Sequence, residues 1–215
     1  MDEEKTWVRQ ALAGDQEAFA CLVEVYKAPV FNLAYRLLGD QLEAEDAAQE
    51  TFVRVYSRLN TYDPTHKLSS WIFSIASHYC VDRLRKRRFG WMSLEDLASW
   101  QVPSDPQDGP EKTALHREER DTLQVLLQQL PAHYRLVIVL RYWQDLSYEE
   151  MADVLHTTES TIKSRLHRAR CMLAEWIKDQ ESQTGPSESG RRSMRPTPRA
   201  AEAIRLMPLS AGYLA

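Results

Sequence analysis

LSYEEMADVLHTTESTIKSRLHRAR, residues 146–170, is the stretch that decides the fold of this chain. Ser147 is a strong helix N-cap, and Glu150 stands three residues later. That is the spacing of a capping box, in which a hydroxyl and a carboxylate each satisfy a backbone N–H of the first turn. Met151, Ala152, Val154 and Leu155 supply one apolar face. The chain must then turn sharply at His156-Thr157-Thr158, and Thr158 caps a second helix with Glu159 and Thr161 in its first turn. Ile162, Leu166, Ala169 and Met172 form the apolar stripe of that helix, while Lys163, Ser164, Arg165, His167, Arg168 and Arg170 occupy its other faces. Two short helices around a tight turn, the second one basic, make a helix-turn-helix. Its second helix suits the DNA major groove, with N-terminal residues at base edges and later Lys and Arg on phosphates. A basic face alone also describes a solvated helical hairpin; the two caps favour the DNA reading.

Outward from this stretch, helical periodicity dominates and no alternating strand pattern stands out. Asp15 caps a long helix whose apolar positions run from Phe19 through Leu22, Val23, Tyr26, Val30, Phe31, Leu33 and Ala34 to Leu37. Pro29 predicts a bend or restart within it, because proline has no backbone donor. Gly39-Asp40 ends that run. A helix over about 43–59 follows, with Ala47, Phe52, Val55 and Tyr56 on its buried side. A turn-rich loop then spans 60–68, with Asn60, Asp63 and Pro64. Ser69 or Ser70 is placed to cap the next helix, 71–88, which ends at Gly90. Pro103, Pro106, Gly109 and Pro110 mark a linker. Helical pattern resumes from 113 to 130, and Pro131 starts a shorter helix to Tyr142. After Gln180, Gly185, Pro186, Gly190, Pro196 and Pro198 read as a disordered tail. The expected architecture is all-α: an N-terminal segment (1–17), two small helical domains (18–90 and 113–178), a flexible linker (91–112) and an extension (179–215).

The net charge of -4 argues against a chain coated in basic residues, so nucleic-acid contact must come from local patches. Cys21, Cys80 and Cys171 match no zinc or redox spacing, and no metal or cofactor is expected. The acidic, polar N-terminus is no signal peptide and no apolar run is long enough to cross a bilayer, so a cytoplasmic location without membrane insertion is expected. Seven glycines leave little room for a phosphate loop, and neither a nucleophile elbow nor a metal-ligand cluster occurs, so no enzyme chemistry or small-molecule substrate is expected.

Leu130-Pro131 through Tyr142, then Leu146 to Ala152, then Ser160 to Arg170, closely resembles region 4 of extracytoplasmic-function sigma factors. The match departs from the family at His156, where the turn usually holds Gly. Glu45-Asp46-Ala47-Ala48-Gln49-Glu50-Thr51-Phe52-Val53-Arg54 resembles the region 2 helix that docks on the clamp helices of the RNA polymerase largest subunits. The resemblance implies that Asp46, Gln49, Glu50, Phe52 and Arg54 contact core polymerase. Trp71-Ile72, Ile75-Ala76 and Asp82-Arg83, followed by Arg85-Lys86-Arg87-Arg88, resemble the helix that engages the minus-10 element. That implies single-strand contacts from Trp71, His78 (where the family commonly has Asn), Arg83, Arg85, Lys86, Arg87 and Arg88. The preceding loop, with Asn60, Tyr62 and Lys67, matches the place where the family captures a flipped base. Ser160, Thr161, Lys163, Ser164, Arg165, His167 and Arg168 are implied to read the minus-35 duplex. The short linker has no room for the extra domain of housekeeping sigma factors. The implied partners are core polymerase, through clamp helices and flap, promoter DNA and an anti-sigma factor, with stress or envelope signals upstream. A conventional regulator with a sensor domain and the same output domain is the rival, and it leaves the motif at 46–52 unexplained.

Overall fold

The computed structural model describes residues 2–89 and 123–182, which form helices and turns and no strand. The elements are α1 (Asp2–Leu12), α2 (Gln16–Leu38), α3 (Gln41–Arg58), a 3-10 turn at Leu59–Thr61, α4 (Leu68–Phe89), α5 (123–129), α6 (Ala132–Tyr142), α7 (Tyr148–Val154) and α8 (Glu159–Ser182). The linker, the helical pattern expected over 113–122 and the extension after Ser182 lie outside the described residues.

Residues 1–17 hold more than a leading segment. α1 packs along α2, buries Val8 and Ala11, and accepts the Tyr26 hydroxyl on Glu4 at 2.7 Å. Asp15 caps α2 as expected, its Oδ1 accepting from the N–H groups of Glu17 and Ala18. α2 runs through Pro29 without a restart. Burial of Leu22, Tyr26, Val30, Leu33, Ala34 and Leu37 along one face holds the helix together across the position that lacks a donor. Gly39 then closes α2 in the left-handed conformation (φ 81°), and Asp40 opens α3 by accepting from Glu43 N–H.

Three local expectations are corrected. α4 begins at Leu68, with the Lys67 carbonyl accepting from Trp71 N–H, so neither Ser69 nor Ser70 is its cap; Ser70 is buried instead. On α3, Ala47 and Val55 are buried and Phe52 half-buried, but Tyr56 is 52 % exposed, its ring meeting that of Phe19 edge-on. On α8 the buried stripe is Ile162, Leu166, Ala169, Leu173 and Ile177; Met172 lies outside it.

The capping box on α7 forms as predicted. Ser147 Oγ accepts from Glu150 N–H at 3.1 Å, and Glu150 Oε2 accepts from Ser147 N–H at 2.7 Å. Thr158 Oγ1 accepts from Thr161 N–H at 3.3 Å at the head of α8. Between them His156 adopts φ 47°, the left-handed conformation the tight turn demands.

The two helical units pack on each other. α6 lies against α2 and α4, and α7 lies against α4, so the buried apolar residues of both units form one continuous core.

Candidate polymerase and nucleic-acid interface

Three surfaces carry the residues singled out by sequence. The first is the outer side of α3. Leu42, Asp46, Gln49, Val53 and Tyr56 follow one another at four- and three-residue steps and all are exposed, Leu42 by 73 % and Val53 by 63 %. This is the seam spacing by which one helix packs along another. Asp46 and Gln49 therefore face outward as expected. Glu50 and Arg54 pair with each other at 2.8 Å, and the Arg54 guanidinium lies 4.7 Å from the Tyr79 ring centre. Phe52 leans on the core. Val53 lies inside the matched motif, and Leu42 and Tyr56 lie outside it; none of the three is among the residues the resemblance implies, although their spacing is visible.

The second surface is α4 with the loop before it. Tyr62 donates its hydroxyl to the His66 carbonyl at 2.7 Å, and its ring centre lies 5.5 Å from that of Trp71. Asp63 folds the loop tip by accepting from both the N–H and the hydroxyl of Thr65, which hold its carboxyl below its ordinary range. Asn60, Lys67, His78, Arg85 and Lys86 are exposed. Arg85 pairs locally with Asp82 at 3.0 Å. Arg83 and Arg87 turn back toward α3. Arg83 reaches Asp46 at 3.6 Å and the Tyr79 hydroxyl at 3.0 Å, and Arg87 pairs with Glu43. These two cations brace α4 against α3. The Arg88 side chain lies outside the described residues.

The third surface is the helix-turn-helix. Ser160, Ser164, His167 and Arg168 are exposed along α8, while Thr161, Lys163 and Arg165 are half-buried. Lys163 sits 3.2 Å from Glu159, with its ammonium over the Tyr148 ring. Burial and the nearby Arg165 cation lower the His133 pKa.

The second and third surfaces meet. Lys67 Nζ lies 2.6 Å from Glu150 Oε1, His66 Nδ1 lies 3.6 Å from Asp153, and the rings of His78 and His156 stack with centres 5.4 Å apart. Between them is a cavity of about 440 Å³ walled by Tyr62, Lys67 and Trp71 on one side and Glu150, Asp153 and His156 on the other. Behind it, Arg135 is 94 % buried and pairs with no carboxylate among the described residues; burial, aided by repulsion from Arg87, pushes its guanidinium down to about 10. It donates to the carbonyls of Leu37, Gln128 and Leu130. Sequence gave no sign of this residue's role, because its partners are backbone carbonyls that leave no pattern. Among the described residues no cluster of His, Cys, Asp or Glu is placed to hold a metal, and no helix is long and apolar enough to cross a membrane.

Sigma-70 region 2 matches residues 22–89 and Sigma-70 region 4 matches residues 120–173, which defines the class. The ECF RNA polymerase sigma factor SigW of Bacillus subtilis is 36 % identical over 181 residues, 81 % of this chain and 97 % of that one. SigE of Mycolicibacterium smegmatis is 34 % identical over 183 residues, covering 81 % of this chain and 68 % of its own length. The solved structure of CnrH in complex with the cytosolic domain of CnrY superposes with a TM-score of 0.60 at 25 % identity, over 83 % of this chain and 99 % of that one. The chain belongs to the extracytoplasmic-function sigma factors, which direct promoter-specific initiation by RNA polymerase and are not enzymes.

Proposed function

We propose that the three surfaces divide the work of initiation among named residues. The outer seam of α3 (Leu42, Asp46, Gln49, Val53 and Tyr56) docks on the coiled-coil clamp helices of core polymerase. The observation that carries this is the four-and-three spacing of exposed side chains, three of them apolar or aromatic, which suits a partner helix laid alongside. Ser160, Ser164, His167 and Arg168 of α8 meet the minus-35 duplex, with region 4 held against the polymerase flap. Asn60, Tyr62, Lys67, Trp71, His78, Arg85 and Lys86 hold the minus-10 element as a single strand, aromatic rings stacking on bases and cations on phosphates. Neither DNA contact need be tight alone, because both are tethered to one polymerase and gain effective concentration. The protein works in the cytoplasm, where core polymerase and promoter DNA are found. An anti-sigma factor restrains it; the relative CnrH, which shares the fold, is seen bound to the cytosolic domain of CnrY.

The test is transcription by core polymerase on a library of randomised promoter DNA, with and without the chain. Transcripts from a defined minus-35 and minus-10 pair that need both components support the assignment. Binding to duplex DNA with no effect on core polymerase overturns it.

A further inference from the structure

An α-helix leaves its last four carbonyls without intrahelical donors. In α2 these belong to Tyr35, Arg36, Leu37 and Leu38. The Gly39 N–H already donates to Tyr35 at 2.8 Å, and most of the other donors come from region 4. Gln124 Nε2 donates to Tyr35 at 3.0 Å and to Arg36 at 3.4 Å, and Gln128 Nε2 donates to Arg36 at 3.5 Å. Arg135 donates to Leu37, while Arg87 of region 2 supplies Leu38 at 3.3 Å. Further along, Gln144 donates to the Pro29 carbonyl at 3.2 Å, and the Arg36 guanidinium sits 4.7 Å from the Trp143 ring centre. Region 4 thus acts as the C-terminal cap of a region 2 helix.

We propose that this cap is an intramolecular lock that sets α7 against the Tyr62 and Trp71 part of the minus-10 surface while leaving the other two surfaces open. When region 4 caps α2, α7 and its turn lie over the strand-binding loop and α4. Lys67 is then tied to Glu150, the His78 ring stacks on His156, and Tyr62 and Trp71 line a cavity shared with α7 residues. A DNA strand that stacks on Tyr62 and Trp71 must therefore displace α7. The seam on α3 and the outer residues of α8 stay exposed in the same arrangement. The locked chain can therefore meet polymerase and duplex DNA before it can hold a melted strand.

The lock is built to open. Arg135 is buried against carbonyls, so release returns a desolvated cation to water and offsets part of the lost hydrogen bonding. The exposed Lys67–Glu150 pair holds weakly in solvent. The masking half of the proposal rests on the reading of α4 and its loop given above; the lock itself does not.

The test uses the native exposed thiols, Cys21 on α2 and Cys171 on α8, with Cys80 buried and unlabelled. Spin labels on both report the separation of the two regions in the full chain without DNA. The wild type is expected to give one narrow distance distribution. Gln124→Glu places a carboxylate against the Tyr35 and Arg36 carbonyls, and Gln144→Ala removes the contact to Pro29. Together they are expected to broaden and lengthen the distribution with unchanged helical content. The same double variant is expected to bind fluorescein-labelled 12-nucleotide single strands of randomised sequence at least threefold more tightly than wild type, since affinity scales with the open fraction. A broad wild-type distribution identical to the variant's overturns the lock. Opening without a gain in strand affinity overturns the masking. A failed assignment of polymerase function shows elsewhere, as absence of promoter-specific transcripts.

Discussion

Lys67 Nζ lies 2.6 Å from Glu150 Oε1, so the carboxylate that caps the first helix of the helix-turn-helix also grips the strand-binding loop of region 2. Burial alone would raise the Glu150 pKa, but donors from Lys67 and Ser147 outweigh it and hold the carboxyl below its ordinary value of 4.5. A carboxyl lowered by folding contributes fully above its unfolded pKa, and the contribution is lost as pH falls through the folded value. Lys67 is raised by the same pair, so its share persists until the solution is far above neutral. The Cys21–Cys171 distance distribution is therefore expected to stay unchanged between about pH 7.5 and about pH 9, above the range in which imidazoles ordinarily titrate, since His66, His78 and His156 sit at the same contact. It is expected to broaden in acid as Glu150 is protonated below its ordinary value of 4.5. Distance measurements across that range, with far-UV circular dichroism to separate opening from unfolding, check this. A distribution that broadens between about pH 7.5 and about pH 9 contradicts it.

Two non-glycine residues near α7, Asp145 (φ 50°) and His156 (φ 47°), sit in left-handed conformations. Asp145→Gly relieves the strain at an exposed position and is expected to stabilise the chain by about 0.5–1 kcal/mol in thermal unfolding. His156→Gly gives similar local relief but removes the ring stacked on His78. It is expected to loosen the contact between the regions while leaving helical content intact. If Asp145→Gly lowers the melting temperature, the strain assignment is wrong.

On α8, Ser164 and Arg168 are both exposed and play different parts. Arg168→Ala is expected to weaken binding to all duplex sequences alike and to lower the slope of log K against log salt by about 1, as for one lost phosphate contact. Ser164→Ala is expected to alter base preference at the minus-35 element with an unchanged salt slope, because a hydroxyl near the helix N-terminus meets base edges. Titrations at several salt concentrations on selected and scrambled duplexes separate the two.

The helix-turn-helix was readable because its signals are local: a capping box four residues long, a second threonine cap and an apolar stripe. Only the end of that stripe slipped, at Met172, where a four-residue step to Leu173 keeps the buried face better than a three-residue one. Of the bend or restart expected at Pro29, the restart does not occur, since a proline signal is local and the packing of a long helix overrode it. The core-facing side of α3 was half legible. Ala47 and Val55 follow the helical period, but the outer seam mixes Asp46 and Gln49 with Leu42, Val53 and Tyr56, so it reads as neither polar nor apolar. The cap that region 4 places on α2 was invisible. Gln124 and Arg135 find carbonyls 89 and 98 residues away, and a carbonyl looks the same at every position of a chain.

The most direct test of the central assignment is the affinity of the full chain for core polymerase when the α3 seam is broken. Val53 is 63 % exposed, so Val53→Asp leaves the core packing alone while placing a charge in the middle of the seam. Anisotropy titration of labelled chain with core polymerase is expected to show affinity reduced at least about 10-fold, or ~1.4 kcal/mol, with helical content and the Cys21–Cys171 distance unchanged. Equal affinity of Val53→Asp and wild type for core polymerase would contradict docking through α3.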